Sequence, residues 1–351
     1  MTRLVLTRLA TGIITLFLTA FFVFFAVQAL PGDVAAQLLG QDATPEALEA
    51  MRARLGLDQG VWVRFADWIA GAVRGDFGTS LVSGEPVAAG VWSAFANTLI
   101  IALPAIIVGV AGSIWLGIRA AARRGRATDS TISVLALLGM SIPEFVVATV
   151  LVLLLAILLP IFPAVVVQGP SASFGELAPA AILPAVTLII SMAAYIIRAM
   201  RSSAIDGLAT EYATLSTLKG VPRRRVLWRH VAPTAVLPVL PIASINVAWL
   251  LGGVVVVESV FNYPGLGKLM LDSVSTRDLP VLQAIAILSA LVYVVANLIA
   301  DLTALTVDPR LRTYGRRARG GDTPTPGGPP GHVDAPTPHA PSGRPDQEVT
   351  A

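Results

Sequence analysis

The chain has 351 residues, 55% of them hydrophobic and 13% charged, with a formal net charge of +3, whereas a soluble domain carries about 25% charged residues. That shortage of charge excludes an ordinary water-soluble globule and assigns most of the surface to lipid. Cysteine is absent, which excludes a disulfide framework, a cysteine-ligated zinc site and a thiol nucleophile. The basic residues recur between apolar runs and form no single patch for nucleic acid.

A transmembrane helix needs about 20 mostly apolar residues. Six runs meet or approach that length: 9–30, 97–118, 132–159, 182–197, 235–257 and 281–307. The fourth is the shortest, with 177–181 as an upstream extension. The third is long enough to tilt or to hold a break at Ser141-Ile142-Pro143, because proline removes a backbone donor and kinks a helix, a fault that membrane helices tolerate when neighbours re-satisfy the freed groups. Val27-Gln28-Ala29 mimics a secretory cleavage site, but a signal has an apolar core of about 7–15 residues. The uncharged run here is longer, so the first span is read as retained.

Orientation follows from lysine and arginine between the spans. With the N-terminus inside, the inner segments hold Arg3 and Arg8, then Arg119, Arg123, Arg124 and Arg126, then the cluster from Arg198 to Arg229, then Arg310 through Arg319. The outer segments hold Arg52, Arg54, Arg64 and Arg74 in one long loop, none in 160–181, and Lys268 with Arg277. Both termini are expected in the cytoplasm.

The long outer loop, 31–96, contains a helix over 45–57, with acids early and arginines late as the helix dipole prefers and Gly56 as its stop. Gly75-Asp76-Phe77-Gly78-Thr79-Ser80 reads as a turn-rich return to the membrane. This loop is either a cap over the transporter mouth or a contact surface for a substrate-delivery protein. In the outer loop 258–279, Gly265-Leu266-Gly267-Lys268 looks like a fragment of a phosphate loop. The full pattern needs a glycine where Asn262 stands and a hydroxyl residue where Leu269 stands, so the segment is read as a turn motif. Residues 315–351 are rich in Pro, Gly, Thr and Asp, the composition of a disordered tail, and His332 and His339 within it are read as solvated.

One stretch departs from the apolar pattern. Between Glu211 and Pro241 the chain is polar and basic yet helically patterned. Glu211 to Lys219 forms a short helix with its acid early and its lysine late. Leu215 and Leu218 share a face that suits a groove on a soluble partner. Gly220 permits a sharp turn, and Pro222 restarts the chain as a second helix. Arg223, Arg224 and Arg225 are what the positive-inside rule expects of any cytoplasmic loop.

Read in order, these landmarks resemble the permease subunits of ABC importers, in the dipeptide/oligopeptide/nickel group and of the first-permease type with a large loop after helix one. They are Leu30-Pro31-Gly32-Asp33, Leu55-Gly56-Leu57-Asp58, Gly75 to Ser80, Asn97-Thr98-Leu99, Ser141-Ile142-Pro143-Glu144-Phe145, Glu258 to Gly267, Arg277-Asp278-Leu279-Pro280 and Asp308-Pro309-Arg310-Leu311-Arg312. The resemblance covers the chain to about Arg312. Tyr212, Lys219 and Gly220 fall where the family's EAA-type coupling motif has Tyr, Lys and Gly, and Pro233 and Leu237-Pro238 match its prolines. Thr214-Leu215-Ser216-Thr217-Leu218 stands where the family usually shows small and basic residues.

The resemblance implies an all-α integral membrane protein of six transmembrane helices with the type I ABC importer permease fold. Its parts are 1–30, the loop or cap 31–96, a permease core 97–314 with a coupling loop 199–233, and the tail. The implied coupling residues are Glu211, Tyr212, Ala213, Leu215, Leu218, Lys219, Gly220 and Pro233, and the helix break at Ser141, Pro143 and Glu144 marks a pathway. The implied partners are a homologous second permease, two cytoplasmic ATPases that bind ATP and magnesium, and an extracytoplasmic binding protein in the plasma membrane setting of an importer. The chain itself shows no nucleotide site and is not expected to be an enzyme or to bind a cofactor. Peptide is the implied substrate, with nickel chelates and glutathione-like peptides as alternatives in the same group. A competing class is the ion-coupled secondary transporter, which needs ionisable groups inside its spans. Glu144 is the one mid-membrane carboxylate, while Glu258 and Asp301 sit near span ends.

Overall fold

The computed structural model describes residues 2–28, 44–54, 58–169 and 172–307. The 30–33 and 308–312 landmarks, the helix stop at Gly56 and the tail 315–351 lie outside these residues. Within them the protein is helical, and its only β feature is an isolated antiparallel bridge between Thr79 and Pro86.

The membrane helices follow from the apolar runs. α1 (Thr2–Gln28), α4 (Val87–Ala122), α8 (Ile182–Leu208) and α14 (Leu279–Val307) are continuous. Five helical stretches are long and apolar enough to cross a membrane, and a bent pair makes a sixth. That pair is α5 (Ala127–Ser141) and α6 (Glu144–Leu151), the latter running on as a π-helical stretch, Val152–Leu158. The bend is 111°. It falls at the expected Ser141-Ile142-Pro143 break, because Pro143 has no N–H to continue α5 and its extended conformation (ψ 146°) sets the start of α6.

Three spans differ from expectation. The second begins at Val87, inside the expected outer loop 31–96. The apolar run of the fourth ends at Ile197, but α8 continues to Leu208. Arg198, Arg201 and Ser202 change the helix's solvent without removing any backbone donor. A short helix, α7 (Phe174–Leu177), precedes α8 and is closed by a capping box in which Ser173 and Glu176 bond reciprocally. The fifth span is broken at its entry. Beyond Pro222 come α10 (Arg223–Arg225), a π-helical stretch (Val226–Val231), α11 (Ala232–Ala235) and a 3-10 turn (Leu237–Val239). Only then does α12 (Leu240–Val260) begin. Pro233, Pro238 and Pro241 each delete a backbone donor, and the tighter and wider turns absorb the loss.

The outer-loop helix is α2 (Pro45–Arg54). Two further helices were not anticipated. α3 (Val61–Val73) packs on α1 through aromatic rings, with the Phe65 centroid 5.2 Å from Phe24 and 5.8 Å from Phe21. α13 (Leu266–Thr276) occupies most of what reads as a loop, and Lys268 and Asp272 pair across one of its turns at 2.8 Å. α9 (Glu211–Leu218) forms as expected.

The central helix pair is α4 and α8. In lipid there is no hydrophobic drive between helices, so close backbone approach at small residues replaces it. Gly117 illustrates the fit: a Cβ there would lie 2.6 Å from Met200 Cβ and 2.8 Å from the Ile197 carbonyl. Ile101, Ala105, Leu188, Ile196 and Met200 are buried in the same core.

Candidate functional site

α9 leaves α8 after a two-residue turn and ends in a Schellman motif. The Gly220 N–H donates to the Thr217 carbonyl at 3.0 Å, and the Val221 N–H donates to the Ser216 carbonyl at 3.2 Å. Gly220 takes the left-handed conformation this requires, with φ +82°. The motif fixes which way α9 faces. Ala213 is buried at 2% exposure, whereas Tyr212 (59%), Leu215 (56%) and Leu218 (79%) point outward. Of the expected coupling residues, Ala213 therefore seats the helix, and the leucines with Glu211, Lys219 and Gly220 form its free face. Pro233 is exposed in the first turn of α11.

The returning segment holds α9 in place. The Tyr212 hydroxyl lies 3.1 Å from His230 Nδ1, with the rings edge-on. Val226, Leu227 and Val231 are buried, while Arg223, Arg224, Arg225 and Arg229 are exposed. Ser203 on α8 donates to the Ala235 carbonyl at 2.7 Å. Sequence reasoning missed His230, whose position on a π-helical turn no regular periodicity would give.

A second link at the same end was also missed. Arg201 on α8 grips Asp129 on α5 with two bonds, Nε to Oδ1 at 2.6 Å and Nη2 to Oδ2 at 2.8 Å. The Gly125 N–H adds a third bond to the same carboxylate at 3.0 Å. An acid in the first turn of an apolar helix was the available signal.

At the other end the landmark motifs find each other. Glu258, fully buried near the end of α12, accepts from the Thr98 hydroxyl at 2.6 Å and from the N–H groups of Gly267 and Lys268 at 2.7 and 3.1 Å. Thr98 in turn accepts the Leu266 N–H at 2.8 Å. Asn97 donates to the Pro264 carbonyl and its own carbonyl receives the Tyr263 hydroxyl. The fragment Gly265-Leu266-Gly267-Lys268 is thus the N-terminus of α13, and the carboxyl group it holds is the chain's own Glu258. That occupancy is the physical reason it is not a nucleotide loop. Ser80, from the 75–80 motif, likewise donates to Asp278 at 2.5 Å, and the Leu81 N–H donates to the same carboxylate at 3.2 Å.

Between the two ends, the break after α5 lines a cavity of ≈ 290 Å³ together with α8 and α12. Ser141, Pro143 and Glu144 all border it and face Ser191 and Tyr195 of α8 and Trp249 of α12. The Glu144 carboxylate lies against Gly253, where a Cβ would overlap it. The coupling residues and this cavity do not meet. They share α8, which lines the cavity at Ser191 and leads into α9 at its far end.

Broken and continuous membrane helices, internally sealed ends and one short outward-facing helix define the class: the membrane-spanning part of a transporter. Residues 113–313 match the family described as "Binding-protein-dependent transport system inner membrane component", and residues 1–102 match "Binding-prot-dependent transport system membrane comp, N-term". The chain belongs to this family and is a multi-pass inner-membrane permease of the ABC importer type.

Similar proteins include "Glutathione transport system permease protein GsiC" of Escherichia coli (strain K12), 36% identical over 312 residues, covering 89% of this chain and 99% of the relative. Another is "Probable peptide ABC transporter permease protein y4tP" of Sinorhizobium fredii, 33% identical over 311 residues, covering 88% and 98%. Among solved structures, "Inward facing conformations of the MetNI methionine ABC transporter" shares 17% identity at a TM-score of 0.46, covering 63% of this chain and 96% of that chain.

Proposed function

We propose that this permease carries short peptides, glutathione-like peptides included, into the cell, and that α9 is the element through which ATP hydrolysis drives it. The observation that carries the reading is the outward face of α9. Leu215 and Leu218 are exposed beyond the membrane core on a helix whose other face and C-terminus are fixed by Ala213 and the Schellman turn. An exposed apolar pair on a rigid short helix fits a groove in a soluble partner. The partners are two ATPase subunits that bind ATP and magnesium, a homologous second permease and an external binding protein. The positive-inside bias of the basic segments supports a cytoplasmic position for both termini and α9. ATP binding alters the ATPase pair, and α9 responds because it contacts the two states differently. The peptide substrate is supported by the relatives, whose names specify glutathione and peptide transport.

Gly220→Val tests the coupling role. A β-branched residue at φ +82° is a backbone outlier, although the space around Gly220 is open. ATP-driven peptide uptake is expected to fall steeply while the protein stays in the membrane with its partners. Undiminished uptake refutes the assignment. Uptake that survives ATP depletion and collapses with the proton gradient replaces it with a secondary transporter.

A further inference from the structure

A charged side chain in the middle of a membrane protein is costly and calls for a partner. Glu144 sits at the break of its span, between α5 and α6, and borders the cavity shared with α8 and α12. It is the one charged residue among the described residues lining that cavity. No described residue gives its carboxylate a hydrogen bond or an ion pair. The contrast with Glu258, Asp129 and Asp278 is chemical: each of those carboxylates is engaged by donors within the protein.

The surroundings select the kind of partner. Gly253 lets the carboxylate lie against bare backbone of α12, which holds it in one place without neutralising it. Glu144 is the first residue of α6. Tyr195 and Trp249 border the same space and are 40% and 76% exposed, and aromatic faces attract ammonium groups. Ser141 and Ser191 turn their hydroxyls onto their own helices, donating to the Leu137 and Thr187 carbonyls, so neither hydroxyl proton competes for the carboxylate. A carboxyl group with aromatic neighbours and no hydrogen bond from the described residues is suited to a primary ammonium.

Resting on the peptide-importer reading, we propose that Glu144 is the transient ligand for the ammonium terminus of a peptide crossing the membrane midplane. It is a binding residue of the pathway, and it favours substrates that carry a positive group at one end.

The test uses the whole transporter in liposomes with its partner subunits and binding protein, ATP, and a mixed library of short peptides. Mass spectrometry of the lumen gives the peptide imported, and phosphate release gives the ATP used. Glu144→Gln, nearly isosteric, is expected to lower the peptide imported per ATP by at least about tenfold, the scale of one lost charge-assisted contact. Glu144→Asp is expected to recover most of it, and Gly253→Ala to reproduce part of the loss by displacing the carboxylate. An unchanged ratio for Glu144→Gln overturns the proposal, as does an Asp variant no better than Gln. A loss that tracks failure of the ATPase subunits to co-purify assigns Glu144 to packing and also overturns it. Absence of ATP-driven uptake by the unsubstituted complex overturns the importer reading and the inference together, so the two failures are told apart by that control.

Discussion

Glu258→Leu removes the acceptor for three buried or half-buried donors, the Thr98 hydroxyl and the N–H groups of Gly267 and Lys268. An unsatisfied buried donor costs about 1–3 kcal/mol, so the three together cost about 3–9 kcal/mol. A whole domain is stable by about 5–15 kcal/mol, which puts the leucine variant near the limit of folding. Glu258→Gln is milder. Its amide oxygen still accepts from the start of α13, and what is lost is the acceptor for the buried Thr98 hydroxyl, about 1–3 kcal/mol. The assay is the half-life of the folded permease in detergent at a fixed raised temperature, because unfolding of such a protein is read as a rate. About 1.4 kcal/mol is tenfold in rate, so the glutamine variant is expected to survive roughly tenfold more briefly and the leucine variant scarcely at all. Combining Thr98→Val with Glu258→Gln should cost less than the sum, since both act on one bond. Equal half-lives for wild type, Gln and Leu, or strict additivity with Thr98→Val, would refute the reasoning.

Other substitutions act at the opposite end. Asp129→Ala leaves Arg201 without its two-pronged partner. Because Arg201 keeps 31% side-chain exposure, the cost is held to about 1 kcal/mol. Arg201→Ala should cost more, because it strands Asp129, whose side chain is only 6% exposed. Thermal inactivation of both variants side by side checks that order, and the reverse order contradicts it. Leu218→Asp changes a side chain that is 79% exposed, so stability should move by no more than about 0.5 kcal/mol. Co-purification of the ATPase subunits should nonetheless drop sharply, and full retention of them would show that α9 docks elsewhere.

The sequence made the long spans legible because each is a run of apolar residues with no competing signal, and the proline at position 143 marked the one sharp bend. It did not show where helices continue into water. The end of apolarity at Ile197 says where α8 leaves the membrane, and only the absence of a breaker before Leu208 says where it stops. α13 was hidden because Lys268 and Asp272 interrupt its apolar residues, though Leu266, Leu269, Met270 and Val274 keep helical spacing. α9 was readable down to the glycine that follows it, since a left-handed C-terminus asks for that residue. The pairing of Thr98 with Glu258 was not readable, because a bond across 160 positions leaves no local pattern. Each motif was visible alone, and the structure supplied the reason they occur together.

The glycine seam between α4 and α8 bears on stiffness. α8 has 27 residues, and at about 1.5 Å per residue it is roughly 40 Å long. At Gly117 the two helices leave no room for a methyl group, so α4 and α8 are in close contact there. A displacement that moved α8 as a rod would meet α4 at this contact, and α4 carries Asn97 and Thr98 with their bonds to Pro264 and Glu258. A side chain placed at Gly117 would therefore loosen the joint between α4 and α8.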